Sequence, residues 1–206
     1  MRLRAWDLTI ERGGRRVIAG LSFEAPGGAA LVVTGPNGAG KTSLLRALAG
    51  FLPIEAGGFA LDGGDSERTV GEQAHYLGHA DGVKAALTAG ENLAFAAAML
   101  GGDSSRAAQL AALTALGLGH VVDFPARLLS AGQRRRVALA RLLVAKRPLW
   151  LLDEPTTALD VAAQGALAAI MRAHVQSGGI LAAAAHGSLG LDGAQELRLG
   201  STREAA

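Results

Sequence analysis

The chain contains no cysteine in its 206 residues. Neither a disulfide frame nor a thiolate metal site can form, which fits a reducing compartment. Aromatic residues make up only 4% of the chain and the formal net charge is +2. With no basic tail and no basic stripe interleaved with aromatics, nucleic acid is not an expected partner. No apolar run reaches the roughly 18 residues that a membrane span needs. The most apolar regions are broken by Arg141, Lys146 and Arg147, or by His186. The stretch Met1–Ile10 carries Arg2, Arg4 and Asp7 and does not read as a signal peptide. The apolar half of the composition therefore reads as an Ala-, Leu- and Val-rich core, which leaves open a protein that docks on a membrane partner.

What is present has the order of an α/β domain, and the length suits one such domain with a real core. Leu3–Ile10 and Val17–Phe23 read as strands around a turn at Gly13-Gly14, and Ala29–Thr34 reads as a short buried strand. Ser43–Ala49 is helical and closes at Gly50. Phe59–Asp62 before Gly63-Gly64 suggests a small hairpin arm. Thr88-Ala89-Gly90-Glu91 has the capping-box pattern and opens a helix to Leu100, and a second helix follows at about Ser105–Leu116. Ser130-Ala131-Gly132-Gln133 repeats the capping-box pattern before a helix that ends ahead of Pro148. Leu149–Leu152 and Ile180–Ala185 read as buried strands, separated by a helix that Asp160 caps and that runs to about Gln176. Strands alternating with helices imply a largely parallel sheet.

Three segments carry chemistry. Gly35-Pro36-Asn37-Gly38-Ala39-Gly40-Lys41-Thr42, followed by Ser43, matches the phosphate-binding loop pattern. Its glycines let backbone N–H groups turn toward phosphates, and the helix that follows adds a partial positive charge. Lys41 is expected to reach the β and γ phosphates of ATP, and the Thr42 hydroxyl to hold Mg²⁺. Only three lysines occur against seventeen arginines, and a compact ammonium suits this tight loop better than a planar guanidinium.

The second segment, Leu149-Trp150-Leu151-Leu152-Asp153-Glu154, places two carboxylates at the C-terminal end of a strand, where ligands of parallel sheets bind. Asp153 is the expected Mg²⁺ ligand and Glu154 the expected general base. The third, Leu129-Ser130-Ala131-Gly132-Gln133, runs into Arg134-Arg135-Arg136. Three arginines near a helix N-terminus oppose the macrodipole, and a phosphate cradled by Ser130 and the Gly132 N–H would relieve that cost. Each segment alone has a plain structural reading: a glycine turn, a strand ending in solvated acids, a capped helix.

Together they resemble the ATP-binding cassette (ABC) ATPases. Leu129–Gln133 is a close variant of that family's signature motif. Phosphate loop, helical segment, signature, carboxylate strand, Thr157-Ala158-Leu159-Asp160 and His186 follow in the family's order over nearly the whole chain. The resemblance implies an α/β fold of the P-loop NTPase type: one ABC nucleotide-binding domain over 1–206, with an N-terminal antiparallel β arm and an inserted helical subdomain at about 85–128. It also implies a homodimer in which Ser130, Gly132 and Gln133 of one copy touch the γ phosphate of ATP on the other. Asp160 would organise that interface, and His186 would contact the γ phosphate and the attacking water.

Two positions depart from the family. His79 stands where a Gln is usual, and Arg12 occupies the place of the usual adenine-stacking aromatic, where its planar face could stack on a base. Gly78-His79 through Gly82 and Lys84, followed by Leu87-Thr88-Ala89-Gly90-Glu91-Asn92-Leu93, is similar to the haem-exporter ATPases of cytochrome c maturation, the CcmA family. Ala80-Asp81 and Ala184-Ala185 differ from that family's usual residues. This resemblance implies integral inner-membrane permease partners, a peripheral location on the cytoplasmic side of the inner membrane, and ATP hydrolysis coupled to haem export. The ATPase of another small ABC exporter or importer, or a soluble remodelling ABC ATPase, is the alternative. A remodelling enzyme usually carries a long coiled-coil insert or tandem cassettes, and this chain has neither.

Overall fold

The computed structural model of the chain describes residues 1–185, 187 and 189–200. In chain order the elements are β1 (Arg2–Arg12), β2 (Arg15–Pro26), β3 (Ala30–Thr34), α1 (Lys41–Leu48), β4 (Ala56–Asp62), β5 (Ala74–Leu77), α2 (Ala89–Leu100), α3 (Arg106–Ala115), α4 (Ala131–Val144), β6 (Leu149–Asp153), α5 (Val161–Gln176), β7 (Ile180–Ala184) and β8 (Gln195–Arg198). They fall into two compact units.

The first unit comprises Met1–Gly78, Pro148–Pro155 and the chain from Met171 onward. It holds a three-stranded antiparallel sheet in the order β2-β1-β4 and a five-stranded parallel sheet in the order β5-β6-β7-β3-β8. Every residue of β6 and β7 is buried. That is the pattern of parallel strands covered on both faces, and it explains why they read as unbroken apolar runs rather than as alternation. Leu44, Leu45 and Leu48 of α1 join Leu3, Leu8 and Ile10 of β1, Leu31 and Val33 of β3 and Leu149 and Leu151 of β6 in one core. Burying a leucine side chain contributes about 1.5–3 kcal/mol, so this shared core ties the arm to the parallel sheet.

The arm is larger than the local pattern suggested. Phe59–Asp62 belongs to a seven-residue strand that pairs with β1 from Arg2↔Asp62 to Thr9↔Ala56, rather than forming a hairpin of its own. A bulge at Asp7 (φ 46°) interrupts the ladder. Gly57 lies so close to it that a Cβ there would stand 2.3 Å from the carbonyl oxygens of Trp6 and Asp7. Only glycine permits that approach.

The second unit comprises His79–Arg147 and Thr156–Ile170. Here α2 and α3 pack on α4, burying Leu93, Ala97, Ala112, Leu113, Val137 and Ala138. Two helices begin with complete capping boxes. The Thr88 hydroxyl accepts from the Glu91 N–H (3.1 Å) while the Glu91 carboxylate accepts from the Thr88 N–H (2.8 Å). The Ser130 hydroxyl accepts from the Gln133 N–H (3.2 Å) while the Gln133 side-chain oxygen accepts from the Ser130 N–H (2.9 Å). Asn92 pins the preceding loop, accepting from the Lys84 N–H and donating to the Lys84 and Thr88 carbonyls. Among the described residues no helix is long and apolar enough to cross a membrane.

Candidate functional site

The phosphate loop leaves β3 and turns into α1. Gly35, Gly38 and Gly40 all have positive φ (140°, 83° and 98°). A side chain at Gly35 would strike the Leu199 carbonyl (2.6 Å) and one at Gly40 the Ile18 side chain (2.9 Å), whereas Gly38 faces open space. The loop is thus pressed onto Leu199, just after β8, and onto β2, and is open between them. Gly40 supplies α1 with no side-chain cap, and no acid lies in the first turn, so the first N–H groups of α1 meet no capping side chain. Pro36, Asn37 and Gly38 are exposed, Ala39 and Thr42 are half-buried, and Lys41 and Ser43 are buried.

Lys41 is only 8% exposed. Its ammonium donates to the carbonyl oxygens of Gly35 (2.7 Å) and Pro36 (3.2 Å) rather than to a carboxylate. A buried cation held by carbonyl dipoles, beside an uncapped helix N-terminus, is chemistry that fits a polyphosphate.

Asp153 closes β6 and is buried, and Glu154 follows it half-buried. The Glu154 N–H donates to the Ala184 carbonyl (2.9 Å), and its φ of 47° is left-handed. Holding a non-glycine residue there costs roughly 1–2 kcal/mol, and such strain clusters where function requires a fixed side chain. Among the described residues no group of three or more His, Asp or Glu gathers to hold a metal. One buried carboxylate and the Thr42 hydroxyl are hard oxygen donors of the kind that share Mg²⁺ with substrate phosphates. Asp153 and Thr42 therefore fit that ion.

Two features of this unit escaped the sequence reading. Tyr76 on β5 is half-buried. Burial pushes its phenol above the usual range and the Asp153 charge adds to this, while the charge of Arg46 on α1 pulls the other way. On the far side of the sheet, Trp150 of β6 stacks on His174 (3.9 Å between centroids, 6° between planes) and meets His75 edge-on (6.3 Å). The single tyrosine of the chain was the available signal for the first. Nothing in the sequence joins the three rings of the second.

In the second unit, Ser130 is the N-cap of α4 and Gly132 lies in its first turn. A Cβ on Gly132 would stand 2.9 Å from the Ala158 carbonyl, and Ala158 is itself left-handed (φ 63°). The signature glycine thus makes room for the Thr157–Asp160 segment. Asp160 caps α5, its carboxylate accepting from the Ala163 N–H (2.8 Å). The three arginines that follow Gln133 find partners within the chain. Arg134 donates to the Leu129 carbonyl (2.6 Å), Arg136 to those of Gly132 and Leu116, and the buried Arg135 pairs with Asp81 (3.2 Å). The side-chain oxygen of Gln133 is likewise engaged in the capping box. The Ser130 hydroxyl accepts one bond there and keeps its proton for donation.

His79 is exposed just after β5, and Arg12 is exposed at the hairpin tip, paired in register with Arg15 across the left-handed Gly13-Gly14 turn. His186 lies outside the described residues.

Comparison with known proteins decides the family. The sequence pattern of the family described as ABC transporter matches residues 18–157. The chain belongs to the ABC transporter family. As an ABC ATPase it hydrolyses ATP. It is 58% identical over 200 residues to the cytochrome c biogenesis ATP-binding export protein CcmA of Nitrobacter winogradskyi, covering 97% of this chain and 98% of that one. It is 57% identical over 204 residues to the protein of the same name from Nitrobacter hamburgensis, covering 98% and 100%. These likenesses place this ABC ATPase in the CcmA family. Among solved structures, a putative ABC transporter ATP-binding protein from Pyrococcus furiosus superposes with a TM-score of 0.85 at 22% identity, over 97% of this chain and 98% of that one. That likeness concerns the fold alone.

Proposed function

We propose that this ABC ATPase is the motor subunit of a membrane exporter in c-type cytochrome biogenesis, with haem as the exported cargo. The reading is supported by near-full-length likeness to relatives whose names give cytochrome c biogenesis and export. The observation that carries the ATPase chemistry is Lys41, a buried ammonium resting on the carbonyls of its own loop. The Gly35–Ser43 loop binds the phosphates of ATP, with the N–H groups of α1 and the Lys41 ammonium answering their charge. Thr42 and Asp153 hold Mg²⁺, which when bound neutralises charge that develops on the phosphate oxygens. Glu154 accepts a proton from water as the water oxygen bonds to the γ phosphorus and the bond to the β-phosphate oxygen breaks, giving ADP and phosphate.

Two copies pair about a two-fold axis, so that each phosphate loop faces the partner's signature segment. There the Ser130 hydroxyl and the Gly132 N–H complete the γ-phosphate cradle. The fixed Gln133 amide and Asp160, both tied into helix caps, keep the interface in shape, and His186 serves as the γ-phosphate contact. ATP binding closes the pair and hydrolysis reopens it. Integral permease subunits of the inner membrane receive this motion, and the ATPase sits peripherally on their cytoplasmic side.

Glu154→Gln tests the pairing and the base together. With ATP it is expected to elute as a stable dimer in size-exclusion chromatography and to lose turnover. Normal turnover would remove Glu154 as the base. Deleting the gene and staining membranes for covalent c-type haem tests the cargo, and unaltered cytochrome c would contradict it.

A further inference from the structure

The phosphate loop starts where β3 ends, and β8 runs beside that end. The two strands are parallel, with Thr34 level with Arg198. β8 is four residues long, lies at the edge of its sheet and is mostly exposed, so burial of its own side chains contributes little to holding it. Its contacts go to the start of the loop instead. The Thr34 hydroxyl donates to the Glu196 carboxylate (2.5 Å). The Leu199 N–H donates to the Thr34 carbonyl (2.8 Å). The next residue, Gly35, is so close that a Cβ on it would stand 2.6 Å from the Leu199 carbonyl oxygen. Gly200 lies against Pro36 and Ala39, each of which an added Cβ would meet at 3.4 Å. Gly35 and Pro36 are the two residues whose carbonyls accept from the Lys41 ammonium. A continuous path of bonds thus runs from Glu196 through Thr34 and Gly35 to Lys41.

We propose that residues 196–200 are a positioning element for the phosphate loop, bracing the Gly35 and Pro36 carbonyls so that the Lys41 ammonium is held ready for a phosphate. The inference rests on the reading of residues 35–43 as the nucleotide-binding loop. Gly35, Gly38 and Gly40, all with positive φ, make that loop costly in entropy to order, and Pro36, Asn37 and Gly38 are exposed. A brace on its first residues lowers that cost before the nucleotide arrives, and the difference appears as affinity. A strand that only extended the sheet would need the ladder bond from Leu199. It would need neither the side-chain bond between Thr34 and Glu196 nor the contact of Gly200 with Pro36.

The test compares full chains of wild type, Lys41→Ala, Thr34→Val, Thr34→Ser, Glu196→Ala, Gly200→Ala and Gly193→Ala. The readouts are the affinity for ADP with Mg²⁺ by isothermal titration calorimetry, KM and kcat for ATP, and the urea midpoint without nucleotide. Gly193 is the matched control. It precedes β8, has a left-handed φ of 71° against 80° at Gly200, and has open space where a Cβ would go. Alanine therefore brings the same backbone strain at both positions but touches the loop only at 200. Thr34→Val, Glu196→Ala and Gly200→Ala are expected to weaken ADP binding and raise KM by about 3- to 10-fold, the range of one hydrogen-bonding group, with kcat left near wild type. Thr34→Ser, which keeps the hydroxyl, should bind as wild type. Gly193→Ala should lower the urea midpoint as Gly200→Ala does and leave ADP affinity unchanged. If Lys41→Ala weakens ADP binding while Thr34→Val and Gly200→Ala bind as wild type, or if Gly193→Ala weakens it as much as they do, the brace is overturned and the phosphate loop stands. If Lys41→Ala itself leaves ADP affinity unchanged, the phosphate reading falls and takes the brace with it.

Discussion

The two capping boxes offer a matched pair of substitutions in which one is expected to do something the other cannot. Ser130→Ala and Thr88→Ala each remove a hydroxyl that accepts one N–H bond, of 3.2 Å and 3.1 Å. Each leaves the reciprocal bond of its box, from the Ser130 or Thr88 N–H, in place. Losing an N-cap hydroxyl costs about 1 kcal/mol, which lowers the melting temperature by roughly 2–4 °C in a chain of this size. Both variants should show that loss.

Turnover should separate them. In the proposed pairing the Ser130 hydroxyl donates its proton to the γ phosphate held by the other copy, and a hydrogen bond to a charged group contributes about 1.5–3 kcal/mol. Removing it should slow phosphate release by roughly 10- to 150-fold at saturating ATP. Thr88→Ala should remain within twofold of wild type. The assay is phosphate release against ATP concentration, alongside a thermal melt of each variant. Equal activity losses in the two variants, or a Ser130→Ala protein that is less stable but turns over normally, would refute the reasoning. In either case the signature serine would be a helix cap and nothing more.

Two further outcomes follow from strain and burial. Glu154→Gly should be more stable than Glu154→Ala by about 1 kcal/mol in urea denaturation, because only glycine accepts φ 47° without penalty; both should lose turnover, and equal stabilities would mean that the backbone there is unstrained. Burial lowers the ionisation of His174, with the carbonyls of Ile180 and Pro148 opposing. The folded protein then binds fewer protons than the unfolded chain, so stability is full above the ordinary histidine value of about 6.5 and falls as the pH drops below it. The slope is at most about 1.4 kcal/mol per pH unit for one proton. Denaturation at a series of pH values should show that acid limb, flattened in His174→Phe, and an unchanged slope would rule out His174 as its source.

The features that were legible in the sequence are those written in consecutive residues. The phosphate loop, both capping boxes, the Asp160 cap and the buried runs at Leu149 and Ile180 are local patterns, each with a local physical cause, and the structure places them as read. What escaped is non-local. Phe59–Asp62 could not announce β1 as its partner, and β8, with its mostly exposed Gln195–Arg198, has no apolar signature at all. The arginines after the signature read as a bare charge cluster, because two of their acceptors, Leu116 and Asp81, sit far away in sequence. Tyr76 meets Phe51 and stands level with Leu151 only through the fold. Glu154 looked like one of a pair of acids, and its left-handed backbone is set by the bond from its N–H to Ala184 on a neighbouring strand.

The stacked rings at Trp150 have a practical consequence. The chain has two tryptophans. Trp6 is 42% exposed on the arm, beneath Arg4, while Trp150 is 5% exposed, face to face with one imidazole and edge-on to another. The two indoles therefore emit from opposite environments, one wet and one dry, and the dry one sits three residues before Asp153. With Trp6 replaced by phenylalanine, the intrinsic emission of the protein becomes a single optical signal from the strand that carries the acids, with no label attached.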